Sequence, residues 1–467
     1  MDNVNTEKNN QNEQKPKFQT DLTEGSVAKQ LFRFSLPFML SMLIQQSYAL
    51  IDMVIVSHFA GEAAVAGVNN GGQLTFLATS LAIGISVGGT ILVGQYFGAK
   101  RTDDVQKTAA TILTSMLIMA VLMAALFIPF SNTLLRALRV PEESYTEAWR
   151  YLTISLCGLP FIFMFNALAG ILRGMGESKL PLIFVAIASV ASAILDLILI
   201  GIFRLDAAGA AISTVCAQAG CVVAAIIYLN RSGFMFDFRI KSFIIDKDKL
   251  RLILKLGVPA GLSQLVVNLS FLLMTVLVNG YGVSVSAAVG LAGRFNGIAI
   301  MPLIAVGNSV SMMCAQNLGA KRHDRALRTT NTGIGISLLI GTALFIVAQF
   351  LPRPIMSLFS TSLPVVDAGV IYLRAACWDY LLVAFVFSYN GLITGAGHAN
   401  ISLINTFISS VAIRIPAALL LSNTAGLGLR GIGLAIPAAS LGALIFLIIY
   451  LLTGRWRTVT IHRSESK

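Results

Sequence analysis

The chain carries little charge. Of its 467 residues, 12% are Asp, Glu, Lys or Arg and 56% are hydrophobic. A soluble chain of this size would carry about 25% charged residues, so a soluble enzyme or binding module is ruled out. Cysteine is sparse too: Cys157, Cys216, Cys221, Cys314 and Cys377 all lie inside apolar runs. Without a Cys-x-x-Cys pair or a His/Cys cluster, neither disulfides nor a resident metal or cofactor is expected. Gly94 to Lys100 has the wrong spacing for a phosphate loop and no Ser or Thr follows the Lys, which argues against nucleotide-driven work. Met1 to Lys17 lacks a signal-peptide core. The expectation is a disordered cytoplasmic tail over residues 1–30, with the first apolar run as an uncleaved insertion signal.

What the chain has is long apolar runs. Twelve are long enough to span a bilayer, which takes about 20 residues each. They cover 33–60, 64–93, 108–130, 147–172, 181–203 and 207–229, then 252–280, 284–313, 331–351, 367–392, 400–421 and 426–453. The expected fold is an all-α integral membrane protein. If the N-terminus is cytoplasmic, 25 Lys and Arg fall in cytoplasmic segments and seven in outer loops, with Arg294 and Arg414 inside spans. That bias places both termini inside. The net charge of +12 is then loop charge that meets anionic lipid, not a nucleic-acid surface.

The chain is duplicated. Gln95-Tyr-Phe-Gly-Ala-Lys-Arg101 returns as Gln316-Asn-Leu-Gly-Ala-Lys-Arg322, and Leu36-Pro37 returns as Val258-Pro259. Gly174-Met-Gly176 returns as Gly395-Ala-Gly397, and Ala208-Gly209 as Arg430-Gly431; the offsets are 221 or 222. Four matches in order indicate an internal repeat. Six spans per repeat make the halves parallel, with a cavity between them, as in transporters. The expected parts are an N-lobe (31–230), a linker (231–251), a C-lobe (252–453) and a cytoplasmic tail (454–467).

Two acids, Asp52 and Asp196, lie deep in the first half. An intramembrane acid costs at least about 3 kcal/mol on insertion scales and is a functional candidate by default. Gln45, Tyr48 and Asp52 share one helix face, as do Ser189, Ser192 and Asp196, and Thr214 and Gln218 are one turn apart. Asn69 and Asn70 reach a similar level. Such a layer of carboxylates, hydroxyls and amides fits a small cation or a shared proton. The alternative is a hydrogen-bond network that only locks helices, but two acids without a basic partner are poor structural glue. In the second half both acids lack counterparts. Gln264, Asn268, Phe271 and Thr275 form a mostly neutral stripe, and Arg294 and Arg414 are expected to anchor carbonyls or gates. Asp379, near a span end, is expected to reach water. Gly84-x-x-x-Gly88 and Gly94-x-x-x-Gly98 fit close helix packing.

These residues carry a family resemblance. Pro37, Tyr48 and Asp52 in Tyr-Ala-Leu-Ile-Asp-Met-Val-Ile-Val, Gly94-Gln-Tyr-Phe-Gly98-Ala-Lys, Leu172-Arg-Gly-Met-Gly-Glu, the Asp196 stretch and Ala208-Gly-Ala-Ala-Ile-Ser-Thr214 resemble the multidrug and toxic compound extrusion family of bacterial secondary transporters. The resemblance implies two six-helix lobes forming a V that exchanges Na⁺ or H⁺ for cationic amphipathic compounds. It implies that Asp52 and Asp196, with Ser192 and Thr214, handle the coupling ion, and that Gln45, Tyr48 and Gln218 line the cavity. Many relatives place Asn where Ser192 stands, which thins a Na⁺ shell and favours H⁺. A flippase for lipid-linked sugars has a similar architecture but would need several cavity cations. The chain is expected to act as a monomer in the bacterial inner membrane, with organic cations and lipid as partners.

Overall fold

The structure, a computed structural model, describes residues 20–424 and 426–461; the expected tail residues 1–19 and 462–467 lie outside these. The described chain is helical and has no strand. The first half runs α1 (Val27–Phe59), α2 (Gly61–Gly98), α3 (Thr102–Ala137), α4 (Glu142–Cys157), α5 (Leu159–Gly174), α6 (Lys179–Asp196) and α7 (Asp206–Arg231). The second runs α8 (Lys247–Asn279), α9 (Val283–Ala299), α10 (Met301–Gly319), α11 (His323–Phe350), α12 (Pro352–Ser357), α13 (Leu363–Ala376) and α14 (Asp379–Gly395). It ends with α15 (Ala399–Phe407), α16 (Arg414–Leu419) and α17 (Gly428–Leu452).

Among the described residues, nine helices are long and apolar enough to cross a bilayer, and three bent pairs bring the number to twelve. The pairs α4/α5, α9/α10 and α13/α14 bend by 50°, 41° and 46°. Pro160 and Pro302 stand in the first turn after two of these bends. There a missing N–H is harmless, while the ring blocks continuation of the helix before it.

The stretch between α7 and α8 is anchored. Phe234 and Phe236 are buried, and Phe236 meets Phe238 and Phe243 edge-on at 5.1 and 5.5 Å. Asp246 caps α8 by accepting from the amides of Asp248 (2.9 Å) and Lys249 (3.1 Å), which satisfies donors the helix cannot. The helix therefore starts at Lys247, inside the expected linker.

Both described ends lie on one face, here the terminal face. On that side a single buried cluster joins the halves, drawing Ile91, Tyr96 and Leu172 from the first and Ile253, Met313 and Leu318 from the second. On the far side the core splits. Ile55, Val56, Val68 and Ile200 cluster in the N-lobe, and Met274, Val278, Tyr372 and Ile432 in the C-lobe. The lobes thus meet at the terminal face and diverge away from it, which makes the V.

Glycine sets the contact. Lipid gives apolar helices little reason to associate, so membrane helices rely on close packing by small residues. Gly84 and Gly88 of α2 lie against Gly261 and Gly257 of α8, where a Cβ would strike backbone. Two side chains then close the terminal face symmetrically. Gln95 Nε2 donates to the Gly395 carbonyl at 2.8 Å, and Gln316 Nε2 donates to the Gly174 carbonyl at 2.9 Å. Each glutamine reaches the glycine turn of the opposite lobe.

The terminal segments reinforce this closure. Thr20–Ser26 was expected to be tail, but it is docked across both lobes. Its Thr20 amide donates to Met175 (3.2 Å) and its Leu22 amide to Gln316 Oε1 (3.0 Å). Near the other end, Thr460 Oγ1 donates to the Gly397 carbonyl at 3.3 Å. The docking satisfies backbone groups that a free tail would leave to water.

Candidate functional site

The site lies in the N-lobe, between α1, α6 and α7. Tyr48 is its hub. Its hydroxyl hydrogen-bonds Ser192 Oγ at 2.6 Å and Thr214 Oγ1 at 3.1 Å, and donates to Asp196 Oδ2 at 3.3 Å. Three helices are tied through one oxygen. Asp196 is fully buried and is the last residue of α6. After it the helix widens into a π-turn, Leu197–Ile202, a distortion frequent at functional sites.

Asp52, one turn beyond Tyr48 on α1, faces Asp196 within hydrogen-bonding range. Its Oδ1 is buried and has no partner. Neither acid forms an ion pair with Lys, Arg or His among the described residues. Two carboxylates this close in a low-dielectric interior repel strongly. The arrangement is therefore stable only with a proton between them or a cation beside them.

Two members were not foreseen. The Ser213 hydroxyl donates to Asp196 Oδ1, and Tyr151 of α4 lies within electrostatic reach of both acids. Ser213 is adjacent to Thr214 but about 100° round the helix, so a one-face reading keeps only one of them. No spacing in the sequence singles out Tyr151.

Other expected residues stay apart from the acids. Gln45 and Asn69 are exposed. Asn70 Nδ2 donates back to the Ala66 carbonyl at 2.9 Å, and Gln218 Oε1 is buried without a partner. In the C-lobe, Gln264 and Asn268 are exposed on the α8 face that carries Gly257 and Gly261 at the contact, so they look into the cleft.

The carbonyl-anchor half of the expectation for Arg294 and Arg414 is not met, and the expectation for Asp379 is corrected. Among the described residues no hydrogen bond links Arg294 or Arg414 to a carbonyl. Arg294 is exposed, and Arg414 stacks over Phe271 with its guanidinium carbon 5.0 Å from the ring centre. Asp379 does not reach water: it is 8% exposed, because the bend between α13 and α14 turns the start of α14 into the lobe.

Among the described residues no group of three His, Cys, Asp or Glu could hold a metal. Sodium at Asp52 and Asp196 would depend on the oxygens of Tyr48, Ser192, Ser213 and Thr214.

Comparison with known proteins agrees with this architecture. A family model described as MatE matches residues 37–198 and again 259–420, two stretches that start 222 residues apart (259 − 37). The chain is 30% identical over 456 residues to a probable multidrug resistance protein, YpnP, of Bacillus subtilis (strain 168), covering 95% of this chain and 99% of that one. It is 29% identical to YoeA of the same organism, also a probable multidrug resistance protein, covering 94% and 96%. A solved structure described as the outward-facing conformation of a multidrug resistance MATE family transporter of the MOP superfamily has the same fold. It aligns with a TM-score of 0.86 and 23% identity over 94% of this chain and 97% of that one.

Proposed function

Because the chain belongs to the MatE family of multidrug and toxic compound extrusion transporters, we propose that it is an antiporter exporting cationic amphipathic compounds in exchange for protons. The observation that carries this reading is the facing, base-free pair Asp52 and Asp196 below an open cleft. Neutralised, the pair has no claim on a cation. Deprotonated, it attracts one, so proton and substrate exclude each other, which is what exchange needs.

The hydroxyl network favours a proton over sodium. A dehydrated Na⁺ needs several oxygens with lone pairs turned inward. Here the Tyr48 hydroxyl already bonds both Ser192 and Thr214, and Ser213 is bonded to Asp196. A proton needs only the two carboxyls. The Tyr48 hydroxyl can answer its arrival by turning its donor from Asp196 to Ser192 or Thr214, which links the charge of the pair to the position of α1.

Orientation follows from charge. Among the described residues the segments on the terminal face carry 20 Lys and Arg against seven in the outer loops, and by the positive-inside rule we read that face as the cytoplasmic side of a bacterial inner membrane. The cleft then opens outward, toward abundant protons. Growth protection against ethidium and norfloxacin tests the export activity. Efflux from proteoliposomes tests the ion, first under a pH gradient and then under a Na⁺ gradient. Export that follows an inward Na⁺ gradient and ignores ΔpH overturns the assignment.

A further inference from the structure

The C-lobe carries a break just before the position that answers to Ser192, while the π-turn that follows Asp196 answers to a second C-lobe π-turn, Leu420–Thr424. Between α15 and α16 the helix widens into a π-turn, Ile408–Ile413, and Arg414 follows. At the offset of 222 that relates Ala208-Gly209 to Arg430-Gly431, Arg414 answers to Ser192 (192 + 222). One lobe places a hydroxyl beside two acids there, and the other places a guanidinium.

That guanidinium has Phe271 beneath it but, among the described residues, no hydrogen-bond partner for two of its nitrogens. Its Nε and Nη1 are buried without a hydrogen bond, and it forms no ion pair among the described residues. Asp379 and Tyr372 lie within its electrostatic reach, yet Asp379 Oδ1 also lacks a partner. The two charges share a lobe without satisfying each other. An unsatisfied buried donor costs about 1–3 kcal/mol, and more when charged, so a purely structural pair would close the gap. Phe271, beneath the guanidinium, is 53% exposed. It stands on the α8 face with Gln264 and Asn268, which looks into the cleft.

We propose that Arg414 is an anion-binding subsite of the transport cleft, which receives the carboxylate of an amphipathic zwitterion while its amine is drawn to Asp52 and Asp196. This rests on the cleft being the transport site. It makes zwitterions, rather than compounds with fixed positive charge alone, the preferred substrate class. Arginine suits the task, since its planar donors match a carboxylate and it cannot lose its charge.

The test is competition binding to the purified protein in detergent, which does not depend on coupling. Norfloxacin, with one amine and one carboxylate, is compared with its ethyl ester. The wild type binds norfloxacin about 10-fold more tightly than the ester. Arg414→Gln removes that preference by weakening norfloxacin alone, and Arg414→Lys restores part of it. A wild type without the preference overturns the proposal whether or not any variant folds. Equal loss of both compounds in Arg414→Gln, with rescue by Asp379→Asn, overturns it in favour of charge balance inside the lobe. Failed transport with the binding preference intact would count against the antiport reading alone.

Discussion

The two lobes repeat one backbone and part ways in charge. At the terminal face they are near-copies: Gln95 and Gln316 reach across to Gly395 and Gly174 with bonds of 2.8 and 2.9 Å. Lys100 and Lys321, at the turns that follow, share a left-handed φ of 57° and 60°. Deeper in the membrane the N-lobe keeps two acids in a hydroxyl network, and the C-lobe keeps Arg414 over Phe271. A duplicated scaffold can thus keep a symmetric closure while its interiors diverge, because closure needs matched surfaces and exchange needs a single site with a changeable charge.

The sharpest break in the comparison is at the acids. Asp52→Asn keeps shape but not charge, so gradient-driven export should fall to the background of liposomes without protein, with insertion unchanged. Asp196→Asn should match it, and the double variant should be no worse, since groups acting as one site are not additive. Transport rates that multiply downward in the double variant would separate the acids into two sites. Thr275→Val, near the place in the C-lobe that answers to Asp52, should leave export within about twofold, as expected for an exposed surface position.

The fold and the acid pair were both legible in the sequence, for the same reason. Apolar runs, a repeat and buried charge are one-dimensional signals enforced by the bilayer. Contacts between segments far apart in the chain were not legible. Ser213 differs from Thr214 only by its direction round α7, and Tyr151 reaches the acids from α4, a helix that no sequence spacing ties to them. Asp379 looked like a span end until the α13/α14 bend turned it inward. Bends at helix junctions, unlike spans, are set by tertiary packing.

The next effect concerns symmetry itself. A Cβ on Gly98 would overlap the Gln316 carbonyl, and one on Gly319 would overlap the Gln95 carbonyl. Gly98→Ala and Gly319→Ala should therefore prise the terminal face open alike. Ala315, fully buried beside Gly94 of the other lobe, can report it. In a chain freed of the exposed Cys157 and Cys216, maleimide labelling of Ala315→Cys should rise about 10-fold with either alanine, the change given by about 1.4 kcal/mol. Unequal effects would show that one lobe alone governs closure. Removing only the side-chain bonds should do less. Gln95→Ala and Gln316→Ala should each shift the balance by about 1 kcal/mol, roughly fivefold in labelling.

The smallest effect sharpens the comparison at the elbows, where the repeat reverses charge. Asp104 of α3 accepts from Arg101 Nε and Lys249 Nζ, both at 2.6 Å. At an offset of 221, the C-lobe has Arg325 in its place, donating at 2.8 Å to the carbonyls of Glu24 and Gly25 and to Gln30 Oε1. Each lobe thus holds the chain leading into the other lobe's first helix, with the sign chosen to suit what it holds: the Lys249 amine or a row of carbonyls. Asp104 lies outside the apolar run 108–130. Burial pushes its carboxyl up, but Lys249 and Arg101 outweigh this and hold it below the usual carboxylate range. A depressed value adds stability that is present above about pH 4 and lost as the pH falls through the folded value. Asp104→Asn should then cost about 1–3 kcal/mol at pH 7, by leaving Lys249 without a counter-charge. It should cost little in acid below that range. Arg325→Gln, which leaves only neutral oxygens behind, should cost less and show no such dependence. Thermal unfolding in detergent at both pH values measures this, and a larger loss for Arg325→Gln would mean that the segment before α1, not Lys249, is the stronger hold.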